Sequence, residues 1–121
     1  LVLGLTLDGS NNLFITALNN GIQCYKKVAT VQTQIGSTIP YSSTDHKWWR
    51  MRESSGTTYF DVSSDGKNWN NIQSMTNPFA ITALTPYVQS GCYAVEASES
   101  YAYFDNFNFD PSYASTAWFR A

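Results

Sequence analysis

Hydrophobic and polar residues alternate along most of this chain. Residues 1–7 show the pattern clearly, because leucines at every odd position alternate with Val2, Gly4 and Thr6. A period of two is typical of strands that bury one face, and no stretch has the 3.6-residue period of an amphipathic helix. The segments predicted as strands are 1–7, 13–18, 22–28, 29–35, 47–53, 57–63, 69–74, 87–97 and 101–109. This number and spacing of short strands predict an all-β protein, an antiparallel β-sandwich.

Turn motifs separate several of these segments. Residues 19–21 (Asn-Asn-Gly) lie between two apolar runs, where an Asn-Gly pair is a strong hairpin signal. Residues 54–56 (Ser-Ser-Gly) and 65–66 (Asp-Gly) predict two further hairpins, while 36–37 (Gly-Ser) and Pro40 interrupt the strand pattern.

The register of the hairpin around residues 54–56 follows from its own pattern. With Ser55 and Gly56 as the two turn residues, Arg50 lies opposite Asp61. The alternative register would place charges in the core, so we expect this one. The face predicted to be dry carries Trp49, Met51, Phe60 and Val62. The face predicted to be wet carries Trp48, Arg50, Arg52, Tyr59, Asp61 and Ser63.

Two interpretations of this wet face stay open. As a glycan-binding surface, it offers aromatic rings that stack on a pyranose and charged groups that bind hydroxyls. The candidate glycan-binding residues are Trp48, Arg50, Arg52, Tyr59 and Asp61, together with Trp118 near the end of the chain. As a structural feature, it is a solvated sheet face with one ion pair and one cation–π contact, each contributing ~0.5–1 kcal/mol.

The segment 63–69 resembles the Asp-box of sialidases and related β-proteins, although it is one residue shorter between Asp and Gly. We expect Asp65 to close a turn on the backbone, Gly66 to adopt a positive φ and Trp69 to anchor the hairpin in the core. These are architectural roles.

Two aspartates near the end of the strand pattern are candidate calcium ligands. Asp105 lies within the aromatic-rich segment 101–109, and Asp110 follows it. The alternative is that Asp105 hydrogen-bonds local backbone, since two carboxylates outside an acidic loop are few for calcium. The sequence implies no other cofactor.

Composition restricts the domain count and the partners. The chain has 121 residues, of which 43% are hydrophobic, 16% aromatic and only 13% charged. This length fits one domain, which we place at residues 1–110. A tail or linker follows at 111–121, and Trp118 could dock this tail on a neighbour. The net charge of -2 argues against nucleic acid and anionic membranes as partners. No apolar run has the ~20 residues of a membrane helix, so we expect no membrane insertion.

The chain contains two cysteines, Cys24 and Cys92. Their number fits either one disulfide or two buried thiols, and their spacing shows no metal-binding pattern.

Catalytic signatures are missing from the sequence. His46 is the one histidine, and no nucleophile motif accompanies it. Glycosidases hold two carboxylates around the scissile bond, whereas Glu96 and Glu99 are three apart and would point to opposite sides of a strand. We therefore expect that the protein is not an enzyme.

Four motifs together resemble the concanavalin A-like (laminin-G-like) jelly rolls of bacterial surface proteins and phage tail proteins. They are residues 46–53 (His-Lys-Trp-Trp-Arg-Met-Arg-Glu), 56–60 (Gly-Thr-Thr-Tyr-Phe), 63–69 and 104–107 (Phe-Asp-Asn-Phe). The resemblance covers roughly residues 3–109, but it does not extend to the calcium- and sugar-binding loops of legume lectins. Such jelly rolls carry further strands before the point where this chain starts, so we expect an N-terminal portion upstream of Leu1.

The resemblance implies an extracellular, cell-surface or virion setting and a non-catalytic role facing an envelope polysaccharide. The fold also hosts purely structural domains. The alternative is therefore an assembly domain that contacts other copies of itself or other domains of a parent protein, for which the Thr/Gln-rich run 30–38 and the aromatic tail are suited.

Overall fold

A computed structural model of the chain describes residues 1–90 and a strand at 117–120. Its strands are β1 (Val2–Asp8), β2 (Asn11–Leu18), β3 (Gly21–Val28), β4 (Val31–Pro40), β5 (Trp48–Ser54), β6 (Thr57–Ser63), β7 (Asn70–Thr76), β8 (Thr85–Gln89) and β9 (Ala117–Arg120). A three-residue 3-10 turn, Ile81–Ala83, lies between β7 and β8. The pairings between these strands are antiparallel, which confirms the predicted all-β class.

The strands form two sheets packed as a sandwich. Sheet 1 has the order β4-β3-β2-β1-β8, and sheet 2 has the order β7-β6-β5-β9. Each sheet is a meander of consecutive hairpins joined at its first strand by a later strand. In sheet 2 the last strand lies beside the first of three consecutive ones, which is the spatial order of a Greek key.

The core lies between the sheets and follows the period of two. Sheet 1 contributes the buried side chains Leu3, Leu13, Ile15, Ile22 and Cys24, and sheet 2 contributes Trp49, Met51, Phe60 and Val62. Each large apolar side chain removed from water contributes about 1.5–3 kcal/mol, so this shared cluster holds the two sheets together. The dry face predicted for the 48–63 hairpin is confirmed.

Tight two-residue turns connect the strands within several hairpins. Asn19 and Asn20 both have positive φ, 52° and 59°, as a type I′ turn requires, and Gly21 already begins β3. Ser55 and Gly56 form the same kind of turn between β5 and β6.

A third such turn lies where the sequence predicts the start of a strand. Ala29 and Thr30 have φ of 48° and 72° and connect β3 to β4. Neither residue is a turn former, and positive φ is unusual for a β-branched side chain. Two contacts to the neighbouring hairpin support the backbone here: the Thr30 N–H donates to the Ser10 carbonyl, and the Ala29 N–H donates to Asn11 Oδ1.

Strand β4 is longer than predicted and continues through Gly36 and Ser37 to Pro40. A register shift opposite β3 accommodates this stretch, so that Cys24 pairs with Ile35 while Ile22 pairs with Ile39. The Gln73 side chain of β7 lies against Gly36, which brings the edges of the two sheets together.

The last elements also differ from the sequence expectation. Strand β8 begins at Thr85 rather than at residue 87 and ends at Gln89, so Ser90 already lies outside it, in contrast to the strand predicted over 87–97. Residues 117–120, expected within a tail or linker, form β9 and pair with β5. The predicted strand 101–109 lies outside the described residues.

Candidate functional site

The outward side of β5 and β6 carries the predicted glycan-binding residues. Arg50 lies opposite Asp61, and Arg52 lies opposite Tyr59, as the register argument predicts. We call this surface the arginine face; it comprises Trp48, Arg50, Arg52, Tyr59 and Asp61, together with Trp69 and Asn71 from the chain that follows.

Asp61 does not lie at the surface of this face, in contrast to the wet position expected for it. Its side chain is only 1% exposed, whereas those of Arg50 and Arg52 are 17% and 34% exposed. Asp61 Oδ2 accepts hydrogen bonds from Arg50 Nε and Nη2 at 3.0 and 2.7 Å and from Arg52 Nε at 2.8 Å. The two arginines therefore cover the carboxylate, and Asp61 positions them rather than contacting a ligand itself.

A bulge in β7 completes the shell around Asp61. The register shifts so that Phe60 pairs with Gln73 and Asp61 with Asn71, which leaves Ile72 as the extra residue. Asn71 Nδ2 then donates to Asp61 Oδ1 at 3.0 Å. Both carboxylate oxygens are thus occupied within the protein, so the buried charge is compensated.

Each arginine also lies over an aromatic ring. The guanidinium carbon of Arg50 is 4.3 Å from the centroid of Trp69, and that of Arg52 is 3.9 Å from the centroid of Tyr59. Trp69, expected to anchor the core, is instead half-buried on the outer face, beneath Arg50. The Tyr59 ring has one face covered by Arg52, so it is less open to a sugar than the sequence argument assumed.

In the loop 63–69, Asp65 closes a turn on the backbone, as its Asp-box-like sequence predicts. Asp65 Oδ1 accepts hydrogen bonds from the backbone N–H groups of Lys67 and Asn68 at 2.8 Å each. These bonds, the Asn68 bond first among them, hold the pKa of Asp65 well below its ordinary value. The buried Ser63 hydroxyl accepts from the N–H groups of Asp65 and Gly66.

This loop also orients Trp48. Gly66 has a φ of 74°, as predicted, and a Cβ there would lie 3.2 Å from the indole ring of Trp48. The indole therefore packs directly on the backbone of the turn, and a side chain at this position would displace it.

The remaining predicted site residues are only partly covered by the structure. Trp118 lies on β9, directly across from Arg50 in the backbone register. Asp105, Asp110 and Cys92 lie outside the described residues, so the calcium site and the disulfide stay predictions. Cys24 is buried and bonds to no other cysteine among the described residues, and burial raises the pKa of its thiol to about 12.

The charged groups of the arginine face determine which ligands it can bind. Within the described residues, two guanidiniums share one carboxylate on this face, so the described cations outnumber the described anions by one. The two Nη atoms of Arg52 make no hydrogen bond to any residue that the structure describes, so they offer a planar fork of donors. Such a fork binds a carboxylate or another planar anion in bidentate fashion.

Sequence reasoning missed Trp69 and Asn71 as members of this face. The β7 bulge shifts the pairing by one residue, and no residue type in 69–73 marks the shift. The Asp-Gly turn indicates where the hairpin reverses but not where its return strand changes register.

Comparisons with family models, curated proteins and solved structures gave no match to the chain. In the described part of the chain, no helix has the length and apolar character needed to cross a membrane. Within residues 1–90 and 117–120, no three His, Cys, Asp or Glu side chains come together as a metal site.

Proposed function

We propose that this chain is a non-catalytic glycan-binding or adhesion module of a larger extracellular or phage-tail protein, with the arginine face as its binding surface. Arg52 carries the proposal. Its guanidinium is held between the buried Asp61 and the Tyr59 ring, while both Nη atoms keep their hydrogen-bonding capacity. A donor fork held in this way loses little side-chain entropy when it binds a ligand.

The fold supports the same setting. Two antiparallel sheets, one of them in Greek-key order, are compatible with the concanavalin A-like jelly roll that the sequence motifs resemble. That fold class occurs in bacterial surface and phage tail proteins, so we place this module at a cell surface or on a virion, facing an envelope polysaccharide.

The charge of the face narrows the ligand to an anionic glycan. A sugar carboxylate would pair with the Arg52 fork, and the half-buried ring of Trp48, supported by Gly66, would contact the apolar face of a neighbouring sugar unit. A neutral glycan would offer the Arg52 fork no charged acceptor.

Binding to a polyuronate and to a sialylated oligosaccharide, measured by isothermal titration calorimetry, tests the proposal. Arg52→Gln should weaken binding of the acidic ligand about 10- to 100-fold, because a hydrogen bond to a charged group contributes about 1.5–3 kcal/mol. Arg52→Lys should recover only part of the affinity, since an ammonium lacks the planar fork.

Lys47→Gln is the matched control. It removes the same charge from an exposed position just before β5 and should change the affinity less than about twofold. Equal losses in the two variants would mean that net charge alone attracts the glycan. Absence of binding to every acidic glycan would refute the proposed ligand class.

A second candidate function, assembly through strand pairing, is favoured by β4. This strand lies at an edge of sheet 1, runs for ten residues and is mostly exposed, and Val31 is 66% exposed. Long edge strands without protection pair readily with other chains. Sedimentation equilibrium should then show dimers that Thr33→Pro converts to monomers, and a monomer at all concentrations would exclude this function.

A further inference from the structure

Sheet 1 carries an aromatic row on the face that points away from the core. Leu13 and Ile15 of β2 point into the core, so the alternating side chain of Phe14 points outward. In the strand register, Tyr87 of β8, Gly4 of β1, Phe14 and Tyr25 of β3 lie side by side across four strands. We call Tyr87, Phe14 and Tyr25 the aromatic row.

Gly4 makes room for the first ring of this row. A Cβ at Gly4 would collide with Cε1, Cζ and the hydroxyl of Tyr87, so the far end of that ring lies over the glycine backbone. The ring is therefore laid down on the sheet instead of standing away from it. Its partial burial raises the pKa of the Tyr87 hydroxyl, which stays neutral.

The other two rings form an offset stack. The centroids of Phe14 and Tyr25 are 5.1 Å apart and their planes differ by 22°. The Tyr25 hydroxyl donates to Gln23 Oε1 at 3.0 Å, and Gln23 Nε2 donates to the Thr38 hydroxyl at 3.1 Å. This network fixes the Tyr25 ring while leaving one N–H of Gln23 unused within the described residues.

Among the described residues, amides and hydroxyls border most of the aromatic row, and one charged side chain lies on the same face of β3. Next to it on β4, Gln34 Nε2 donates to Thr38 Oγ1 at 3.2 Å. The outward-facing cation of β3 is Lys27, whose ammonium is directed away and donates to the Gly9 carbonyl at 2.8 Å. The arginine face on sheet 2 has the opposite character, with two guanidiniums around one carboxylate.

From this arrangement we infer a second binding surface, on which the aromatic row holds an uncharged polysaccharide chain. Rings take the apolar C–H faces of sugars, and neutral amides and hydroxyls pair with sugar hydroxyls. Among the described residues, the one charge beside the row is the Lys27 ammonium, which already donates to the Gly9 carbonyl, so the groups left to meet a ligand are rings, amides and hydroxyls. From Tyr87 on β8 to Tyr25 on β3 the row crosses three strand spacings, roughly 14 Å at ~4.8 Å each, which accommodates several consecutive sugar units.

Affinity electrophoresis in native gels tests this surface. The probes are soluble neutral polysaccharides, a β-glucan, a mannan and a galactan. Wild-type protein should be retarded by at least one of them. Tyr25→Ala and Tyr87→Ala should each weaken that retardation about tenfold, because each removes one ring of the platform.

Two further variants separate the platform from the stability of the fold. Tyr87→Phe keeps the ring and should keep most of the binding, whereas Gly4→Ala inserts the colliding Cβ and should lose about as much as Tyr87→Ala. Val31→Ala, which truncates an exposed apolar residue elsewhere on sheet 1, should leave retardation unchanged. Urea unfolding of each variant identifies any loss that comes from unfolding.

Three results would overturn the inference. They are the absence of retardation by all three neutral polysaccharides, retardation that Tyr25→Ala and Tyr87→Ala leave intact, and a sugar-free dimer that both variants convert to monomers. The last would assign the row to contacts between copies. None of these variants touches the arginine face, so binding of acidic glycans is judged separately.

Discussion

Removal of the Asp61 charge should destabilise this domain far more than removal of either arginine. Asp61→Asn keeps the size of the side chain but leaves two guanidiniums facing a neutral amide. The effect on Arg50 should be the larger, because its side chain is only 17% exposed and it donates to Asp61 through both Nε and Nη2. Arg52, at 34% exposed, can turn its guanidinium towards water.

The expected magnitude follows from the burial. Removing one partner of a buried ion pair typically costs about 3–5 kcal/mol, and we expect the lower end because Arg52 can relax. Arg52→Gln should cost only about 1 kcal/mol, since Arg50 and Asn71 still compensate Asp61. The free energy of unfolding of a domain of this size is about 5–15 kcal/mol. Asp61→Asn should therefore remain folded, but with a much smaller free energy of unfolding.

Equilibrium unfolding in urea measures both variants, with the fluorescence of the buried Trp49 as the signal. At an m-value of about 1.5–2 kcal/mol per molar urea, Asp61→Asn should lower the midpoint by roughly 1.5–2 M and Arg52→Gln by roughly 0.5 M. A loss below about 1 kcal/mol for Asp61→Asn, or one no larger than that of Arg52→Gln, would refute the account of Asp61 as a buried, shared counter-ion. Combining Asp61→Asn with Arg50→Met should recover part of the loss, because the stranded cation is then gone.

Three further outcomes are expected elsewhere in the chain. Ala29→Asn with Thr30→Gly should raise the free energy of unfolding by about 1 kcal/mol, because both residues then suit positive φ; an unchanged or lower urea midpoint would contradict the type I′ assignment. In a Cys92→Ser variant, Cys24 should resist thiol reagents at neutral pH and react only on unfolding, since its pKa is raised to about 12; prompt labelling of folded protein would contradict its burial. The pKa of Asp65 is lowered by folding, so its stabilising contribution is present above its ordinary value of 3.8 and is lost as pH falls towards the folded value. Melting temperatures from about pH 5 to about pH 2.5 should therefore fall less steeply in Asp65→Asn than in the wild type, and parallel curves would exclude this contribution.

The β5–β6 hairpin shows what local pattern determines. Its turn residues, its register and its dry face all follow from alternation plus one Ser-Gly pair, because a slip by one residue would bury Arg50 and expose Trp49. When one face of a strand pair is apolar and the other is charged, the alternation determines the turn and the register. The rest of the fold contributes only the opposite sheet that covers the apolar face.

Where residue types contradict the local backbone, the pattern misleads. Thr30 favours extended structure and Ala29 is no turn former, yet the two residues reverse the chain so that β4 can return antiparallel beside β3. The support comes from the adjacent hairpin, through Ser10 and Asn11. These contacts span some twenty residues, which is beyond what a window along the sequence detects.

The burial of Asp61 depends on a contact of the same kind. Alternation correctly assigns Asp61 to the outer side of its strand, but outward is not the same as exposed. Two long side chains from β5 and an amide from the bulge in β7 close over it, and each of them is polar enough to look solvated on its own. The sequence therefore identifies the charged groups of the arginine face but not which of them remain available to a ligand.

Gly4 is the clearest example of a residue whose role cannot be predicted from the sequence alone. Within a strand pattern, glycine indicates weakened pairing or a bulge, and nothing near residue 4 indicates an aromatic partner. Its role becomes visible only when β8 joins the sheet beside β1 and brings Tyr87 over it from more than eighty residues away. Because the ring occupies the space that a Cβ would fill, the same substitution that strengthens an isolated strand, Gly4→Ala, should disrupt the aromatic row. Strand propensity alone predicts that Gly4→Ala stabilises the strand, whereas the contact with Tyr87 predicts that it is disruptive. The sign of the effect therefore shows whether Gly4 is needed for the close approach of the ring.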